Sequence, residues 1–145
     1  MTVRVATADD LTAVRRLYRQ LHPADPELSP EVEAATFEEI STNPALDVMV
    51  LEVDGEIIGS AYLNVIPNLT RGARPYAVIE NVVVDERVRG TGQGKVLMAG
   101  VLDRAWVAGC YKAMLMTGSS TESVHAFYRA TGFDPDEKQA YLARP

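Results

Sequence analysis

Apolar positions recur along the chain with two different periods, and the changes between them divide it into predicted strands and helices. Residues 1–6 alternate apolar and polar side chains, as a strand with one buried face does. Apolar residues then recur at every third or fourth position over residues 11–21, which is typical of an amphipathic helix. Asp54 and Gly55 stand between two apolar runs and predict a hairpin turn. The predicted elements are strand 1–6, helix 11–21, helix 30–40, strands 48–53 and 57–65, strand 75–85, helix 93–108, strand 111–116, helix 122–130 and strand 139–143.

This order of elements predicts a mixed α/β fold. The chain of 145 residues has the length of one domain, and neither an internal repeat nor a linker separates two halves. We therefore expect one domain over residues 1–145. Its 47% hydrophobic and 23% charged residues are ordinary for a globular protein, which argues against a disordered or fibrous chain.

The charge balance and the single cysteine exclude several kinds of partner and site. The 20 acidic and 14 basic residues give a net charge of −6, so phosphate backbones and anionic lipids exert no general attraction. Cys110 stands alone, which excludes an intrachain disulfide, and no spacing resembles a metal site. No run approaches the roughly 18 apolar residues of a membrane span, and residues 1–7 lack the apolar core of a secretory signal. We expect a cytoplasmic protein with no nucleic acid, membrane or metal partner.

The strongest candidate binding motif is residues 89–95, the glycine turn, which lies between a valine-rich strand and a predicted helix. Gly90, Gly92 and Gly94 stand at alternate positions, so the backbone can approach a ligand closely and direct N–H groups at it. Arg89 and Lys95 place positive charges at the two ends of the turn. The N-terminus of the following helix adds unpaired donors and partial positive charge. The glycine turn therefore predicts a pyrophosphate site, against the alternative of a plain tight turn.

Two well-known phosphate loops do not fit the glycine turn. A Walker loop requires glycine where this chain has Arg89, and serine or threonine where it has Val96. The dinucleotide-binding fingerprint requires a third glycine at the position of Lys95. The predicted pyrophosphate site is therefore of another kind.

The pattern that does fit is Arg-x-x-Gly-x-Gly, formed by Arg89, Gly92 and Gly94, which resembles the acyl-CoA-binding motif of the GNAT superfamily of N-acetyltransferases. Residues 127–133, Phe-Tyr-Arg-Ala-Thr-Gly-Phe, are similar to the family's Phe-Tyr-x-x-x-Gly-Phe segment and stand at the expected distance. The order of elements extends the resemblance over nearly the whole chain. It implies a GNAT-like acyl-CoA N-acyltransferase fold, whose mostly antiparallel central sheet splays at the coenzyme A cleft and is flanked by helices.

The resemblance also implies where acetyl-CoA binds. Coenzyme A would lie where a bulge in strand 75–85 splays it from strand 111–116. Backbone groups of Val82 and Val84 would bind the pantetheine arm, and the N–H of Val82 or Val83 would polarise the thioester carbonyl as an oxyanion hole does. The residues expected around the pyrophosphate are Arg89, Gly90, Thr91, Gly92, Gln93, Gly94 and Lys95.

Acyl transfer to an amine requires one group to accept a proton and another to donate one. Tyr128 matches the tyrosine that many family members place near the thioester sulfur and is the candidate acid, with a core aromatic as the alternative. Glu80 is the candidate base or amine-binding carboxylate, with a solvated strand residue as the alternative. Period-two alternation predicts Glu80 on the same strand face as Val84, and Asn81 on the opposite face. His125 precedes Tyr128 by three residues and is more typical of a surface position.

The acceptor is the least determined part of the predicted reaction. Glu-Asn-Val-Val-Val-Asp from Glu80, with Gly-Cys-Tyr-Lys from Gly109, looks similar to glucosamine-6-phosphate N-acetyltransferases. Asn81 replaces their aspartate and Met116 with Thr117 replaces an acidic position, which weakens the prediction of an amino-sugar acceptor. Three hypotheses stay open: acetylation of a small primary amine, acetylation of a protein N-terminus or lysine, and a non-catalytic CoA-binding module. The family is often dimeric, so the resemblance leaves a homodimer open.

Overall fold

The computed structural model describes residues 1–145 and has the predicted order of elements up to the last helix. The five strands and four α-helices are β1 (Thr2–Val5), α1 (Leu11–Leu21), α2 (Pro30–Thr42), β2 (Leu46–Val53), β3 (Glu56–Ile66), β4 (Tyr76–Val84), α3 (Gln93–Val107), β5 (Ala113–Leu115) and α4 (Glu122–Ala130). None of the helices combines the length and apolar composition that crossing a membrane requires.

The strands form one sheet in the order β1-β2-β3-β4-β5. The first four strands pair antiparallel, and β5 is parallel to β4, so the expected mostly antiparallel sheet is confirmed. Asp54 and Gly55 turn β2 into β3, with left-handed φ values of 51° and 82°. This is the hairpin that the Asp-Gly pair predicts, because glycine and aspartate tolerate that backbone region.

Each face of the sheet carries its own apolar core. On one face, α3 buries Leu97, Met98 and Val101 against strand residues such as Leu63. On the other face, α1 buries residues against β2 and β4, and side chains of α2 pack at its margin. The close fit of α3 has a clear cause at Gly100, where an added Cβ would lie 2.6 Å from side-chain carbons of Val3. The sheet is therefore held between two packed layers of helices.

The predicted strand at residues 139–143 is absent from the structure. Residues 134–145 take part in no backbone–backbone hydrogen bond, and the side chains of Tyr141 and Leu142 are 87% and 73% exposed. A short apolar run forms a strand only where a neighbouring edge pairs with the backbone, and here none does. Strand β5 is also shorter than predicted, and its three residues are half-buried instead of buried.

Candidate active site

The pairing of β3 with β4 contains a β-bulge. Ser60 pairs with Val83 and Tyr62 pairs with Glu80, so Asn81 and Val82 together face the single residue between Ser60 and Tyr62. Asn81 has a φ of 51°, in the left-handed region that asparagine tolerates better than most residues. The bulge that the resemblance implies is therefore present, and its position is Asn81 with Val82.

The bulge reverses the alternation of side chains along β4. Ile79, Val82 and Val84 pack on the α3 side, whereas Val83 packs on the α1 side. Glu80 pairs with a tyrosine that also packs on the α1 side. The prediction that Glu80 and Val84 share a face is therefore wrong, because the extra residue in the bulge lies between them.

Beyond Ile79, β4 and β5 separate. The two strands pair only through Ala77, Val78 and Ile79 of β4. The rest of β4, from Glu80 to Val84, has no partner strand on that side. The fold therefore has the expected splay, and it exposes the backbone edge of β4 directly before the glycine turn.

The glycine turn leaves a row of backbone donors without partners in the chain. Gly90 and Gly92 have left-handed φ values of 79° and 90°, and Gly92 is the N-cap of α3. The N–H groups of Arg89, Gly90, Gly92, Gln93 and Gly94 donate no hydrogen bond within the protein. Several convergent N–H groups at the positive end of a helix are suited to an anion such as a pyrophosphate.

The side chains of the glycine turn differ in their availability. Arg89 and Lys95 are exposed and take part in none of the ion pairs of the protein. Arg89 Nε donates to the Val84 carbonyl at 3.0 Å, which holds the guanidinium beside the open edge of β4. Thr91 instead directs its hydroxyl at the Val88 carbonyl, 2.6 Å away, and its N–H at the same oxygen. Of the predicted pyrophosphate residues, Thr91 therefore has its donors turned inward.

Gly94 joins the glycine turn to α4. A Cβ on Gly94 would lie 2.9 Å from Cε2 of Phe127 and 3.5 Å from a methyl group of Val84. The backbone of Gly94 is helical, so this glycine is required by the close approach of an aromatic ring and not by an unusual φ. The two sequence motifs, the glycine turn and the Phe-Tyr segment, are therefore in direct contact.

Tyr128 lies half-buried in an aromatic cluster. Its ring centroid is 5.1 Å from that of Phe127 and 6.2 Å from that of Phe133. Burial raises the pKa of the Tyr128 phenol above its ordinary value, and the negative charge of Glu80 raises it further. The structure thus brings both candidate proton-transfer residues into one neighbourhood and keeps Tyr128 protonated at neutral pH.

A cleft of about 680 Å³ opens between β5, α4 and the C-terminal segment. Tyr128 and His125 both line it, whereas Glu80 and the glycine turn do not. The His125 Nε2 lies 2.7 Å from the Ser119 carbonyl oxygen, which ties the imidazole to the loop before α4. His125 therefore has a structural hydrogen bond and is not a free surface group.

An ion-pair network that sequence reasoning missed joins α1 to the start of the glycine turn. The Asp85 side chain is fully buried, and its carboxylate accepts hydrogen bonds from Arg16 and Arg87. The hydrogen bonds from Arg87 hold the pKa of Asp85 well below its ordinary value, and the hydrogen bond from Arg16 lowers it further. Burial opposes this shift but is outweighed. Gln20 in α1 also accepts from the Glu86 N–H at 2.9 Å. A lone aspartate after a strand carries no signal of such a role.

The α1 side of the bulge carries a second group that the sequence did not single out. Burial raises the pKa of Tyr18 above its ordinary value, and the nearby polar side chains of Ser60 and Asn81 oppose that shift. On the same face, burial and the nearby charge of Glu39 raise the pKa of Tyr62. Two tyrosines therefore lie on the α1 side of the sheet near the bulge.

Comparison with known proteins decides the family. Residues 9–133 match the Acetyltransferase (GNAT) family. The chain belongs to the GNAT acetyltransferase family. This match includes β4, the glycine turn and the Phe-Tyr segment, so the resemblance and the mixed α/β fold that it implies are confirmed.

Relatives of this GNAT protein match it over nearly its whole length. A glucosamine 6-phosphate N-acetyltransferase of Trypanosoma brucei brucei is 35% identical over 144 residues, covering 98% of this chain and 95% of the relative. An aminoglycoside N(6')-acetyltransferase type 1 of Stenotrophomonas maltophilia is 31% identical over 157 residues, covering 99% and 93%. Among solved structures, a protein of Agrobacterium tumefaciens strain C58 has a TM-score of 0.94 and 40% identity, covering 100% of both chains. The similarity thus extends to the complete fold.

Proposed function

We propose that this GNAT protein transfers the acetyl group of acetyl-CoA to the primary amine of a small molecule, by direct attack in a ternary complex. The observation that carries the proposal is the row of unpartnered N–H groups in the glycine turn, beside the open edge of β4. Arg89 and Lys95 add positive charge there in a protein whose net charge is −6. Donors and cations of this kind suit the pyrophosphate of coenzyme A.

Each part of the site has one role in this proposal. Acetyl-CoA supplies an activated thioester, and the N–H of Val82 or Val83 stabilises the negative charge that develops on its carbonyl oxygen. Glu80 accepts a proton from the ammonium group of the acceptor, directly or through a water molecule. The neutral amine then attacks the carbonyl carbon, the carbon–sulfur bond breaks, and Tyr128 donates its proton to the departing thiolate. The amine nitrogen loses its second proton to solvent as the amide forms, and the Tyr128 phenolate regains a proton from solvent. The raised pKa of Tyr128 keeps the phenol protonated before the thiolate forms, so that a proton is present for transfer.

In this proposal the two proton transfers take place on different faces of β4. Glu80 lies on the α1 side of the strand, whereas Tyr128 belongs to α4 and its neighbour Phe127 packs in the α3 core. An acceptor amine entering from the α1 side would meet Glu80 before it reaches the thioester. This separation supports direct attack, because Glu80 can accept a proton on one side of the strand while Tyr128 donates one on the other.

Titration calorimetry with acetyl-CoA and with CoA tests the cofactor site. We expect micromolar binding that the double variant Arg89→Ala, Gly92→Ala loses. Gly55→Ala is the matched control, since Gly55 also has a left-handed φ, of 82°, in open space but lies in the β2–β3 hairpin. Equal binding by the double variant and this control, or no binding by the unchanged protein, would refute the proposal.

An acceptor screen with thiol detection then identifies the substrate class. The names of the two relatives favour amino sugars, so glucosamine 6-phosphate and an aminoglycoside come first, followed by peptides with a free N-terminus or lysine. Turnover with peptides alone would favour a protein acetyltransferase. CoA binding without turnover on any amine would favour a regulatory CoA-binding module. A cytoplasmic location stays a prediction. Light scattering measures whether the protein forms the homodimer that the resemblance leaves open.

A further inference from the structure

Two side chains of α1 hold the chain immediately before the glycine turn. The Oε1 atom of Gln20 accepts a hydrogen bond from the Glu86 N–H at 2.9 Å. Arg16 donates to the buried carboxylate of Asp85 and, at 2.8 Å, to the Ile57 carbonyl oxygen. Positions four apart lie on the same face of a helix, so one face of α1 fixes two successive residues at the end of β4.

The glycine turn itself has few other contacts that fix it. Apart from the bond to Gln20, no backbone group of residues 86–92 is hydrogen-bonded to a distant part of the chain. A Cβ built on Gly90 or on Gly92 would have nothing within 4 Å, so no packed neighbour limits the backbone at either position. The conformation of the turn therefore depends on how its two ends are held.

The far end of the turn is held by packing, and the near end by α1. Gly94 lies so close to Phe127 that an added Cβ would be 2.9 Å from the ring, which fixes the start of α3. Glycine loses more conformational entropy than other residues when it is ordered. A loop that is ordered before a ligand arrives reduces the entropy that binding must otherwise overcome. The contacts of Arg16 and Gln20 thus bear directly on how strongly the turn can bind an anion.

We propose that Gln20 and Arg16 are positioning residues for CoA, which fix the start of the glycine turn so that its free N–H groups already converge when the pyrophosphate arrives. This inference rests on the proposed function, since it assigns those N–H groups to CoA. Both side chains act through Asp85 and Glu86 and contact no reacting atom. Their loss should weaken binding of the pyrophosphate and leave the acetyl-transfer step unchanged.

Three variants test this role. Gln20→Met keeps a side chain of similar length and removes the acceptor of the Glu86 N–H. Arg16→Met removes the donors to Asp85 and Ile57. Arg15→Met is the matched control, because it removes the same charge from the same helix but Arg15 pairs with Glu33 of α2. If Arg16→Met fails to fold, Gln20→Met keeps the proposal testable.

Calorimetry measures the affinity of each variant for CoA and for 3′-phosphoadenosine 5′-diphosphate, the part of CoA that carries the pyrophosphate. Because one hydrogen bond is lost, Gln20→Met should raise both Kd values by about threefold to tenfold. Arg16→Met should raise them at least as much, and Arg15→Met should stay within about twofold of the unchanged protein. With an active acceptor, kcat at saturating acetyl-CoA should not change in any variant. The kcat/KM for S-acetylpantetheine, which lacks the pyrophosphate, should not change either.

Nuclear magnetic resonance measures the ordering of the turn without any ligand. The ¹⁵N order parameters of Gly90 and Gly92 should be lower in Gln20→Met than in the unchanged protein, since one end of the turn is released. Saturation with CoA should bring them back to the values of the unchanged protein. Arg15→Met should leave both order parameters unchanged.

The outcomes separate this inference from the proposed function. Unchanged affinities and order parameters in Gln20→Met and in Arg16→Met would overturn the positioning role alone. Equal losses in Arg15→Met, or an equal loss of turnover with S-acetylpantetheine, would also overturn it, since α1 would then act on general stability. Failure of the unchanged protein to bind either CoA or the diphosphate would overturn the proposed function, and the positioning role with it.

Discussion

Replacing Asp85 by asparagine is expected to destabilise the connection between α1 and the glycine turn. Asn keeps the size of the side chain but removes the charge that Arg16 and Arg87 bind. Removing one partner of a buried ion pair costs about 3–5 kcal/mol when the other charge stays buried. The side chains of Arg16 and Arg87 are 38% and 57% exposed, so water can replace much of what the carboxylate supplies. We therefore expect the free energy of unfolding to fall by about 2 kcal/mol.

Urea denaturation of both proteins at pH 7 measures this loss, and a drop of about 4–8 °C in Tm should accompany it in a chain of this length. Asp47→Asn is the control, because Asp47 pairs with the half-exposed Arg104 at the surface and should cost less than about 1 kcal/mol. Asp85→Asn should also bind CoA more weakly than the unchanged protein, since Asp85 precedes the glycine turn. Equal stability of Asp85→Asn and Asp47→Asn would refute the reasoning.

The pH dependence of this loss has a definite sign. The folded protein lowers the pKa of Asp85 below its ordinary value, so on acidification the unfolded chain takes up the proton first. The stability that Asp85 contributes is therefore complete above about pH 5 and declines as the pH falls below the unfolded pKa of about 3.9. The difference in free energy of unfolding between the unchanged protein and Asp85→Asn should become smaller as the pH falls over that range. A difference that stays constant from pH 7 to pH 3 would contradict the lowered pKa.

Two further predictions concern the motifs themselves. Gly94→Ala should lower the free energy of unfolding by about 1–3 kcal/mol in urea denaturation, because the new Cβ would lie 2.9 Å from Phe127. Gly118→Ala, with nothing within 4 Å, should be close to neutral, and a neutral Gly94→Ala would show that Phe127 moves without cost. Tyr128→Phe should reduce kcat by about a hundredfold with little change in KM. The acidic phenol acts while protonated, so at alkaline pH the kcat of the unchanged enzyme should fall above the raised pKa of Tyr128, and Tyr128→Phe should lack that alkaline fall. An unchanged kcat in Tyr128→Phe would exclude it as the acid.

Much of the architecture follows from short-range patterns. The helix at residues 122–130 has the predicted bounds, and the Asp-Gly hairpin lies where predicted, because hydrophobic periodicity and turn residues act over a few neighbours. The glycine turn was recognisable for the same reason. Left-handed glycines and a helix N-terminus form a donor row whatever the rest of the chain does.

The arrangement of the site depended on contacts between distant segments. The position of the bulge is a property of the register between β3 and β4, and it moved Glu80 to the face opposite the one that alternation predicts. Pairing between strands also decided that residues 139–143 form no strand, although their short apolar run predicted one. Arg16, one of the two arginine partners of Asp85, lies in α1, so the role of Asp85 was not visible locally. The sequence by itself therefore determined the elements, the family resemblance and the candidate anion site. Only the tertiary structure decided which faces and which partners those residues have, because register and layer packing join groups that are far apart in the chain.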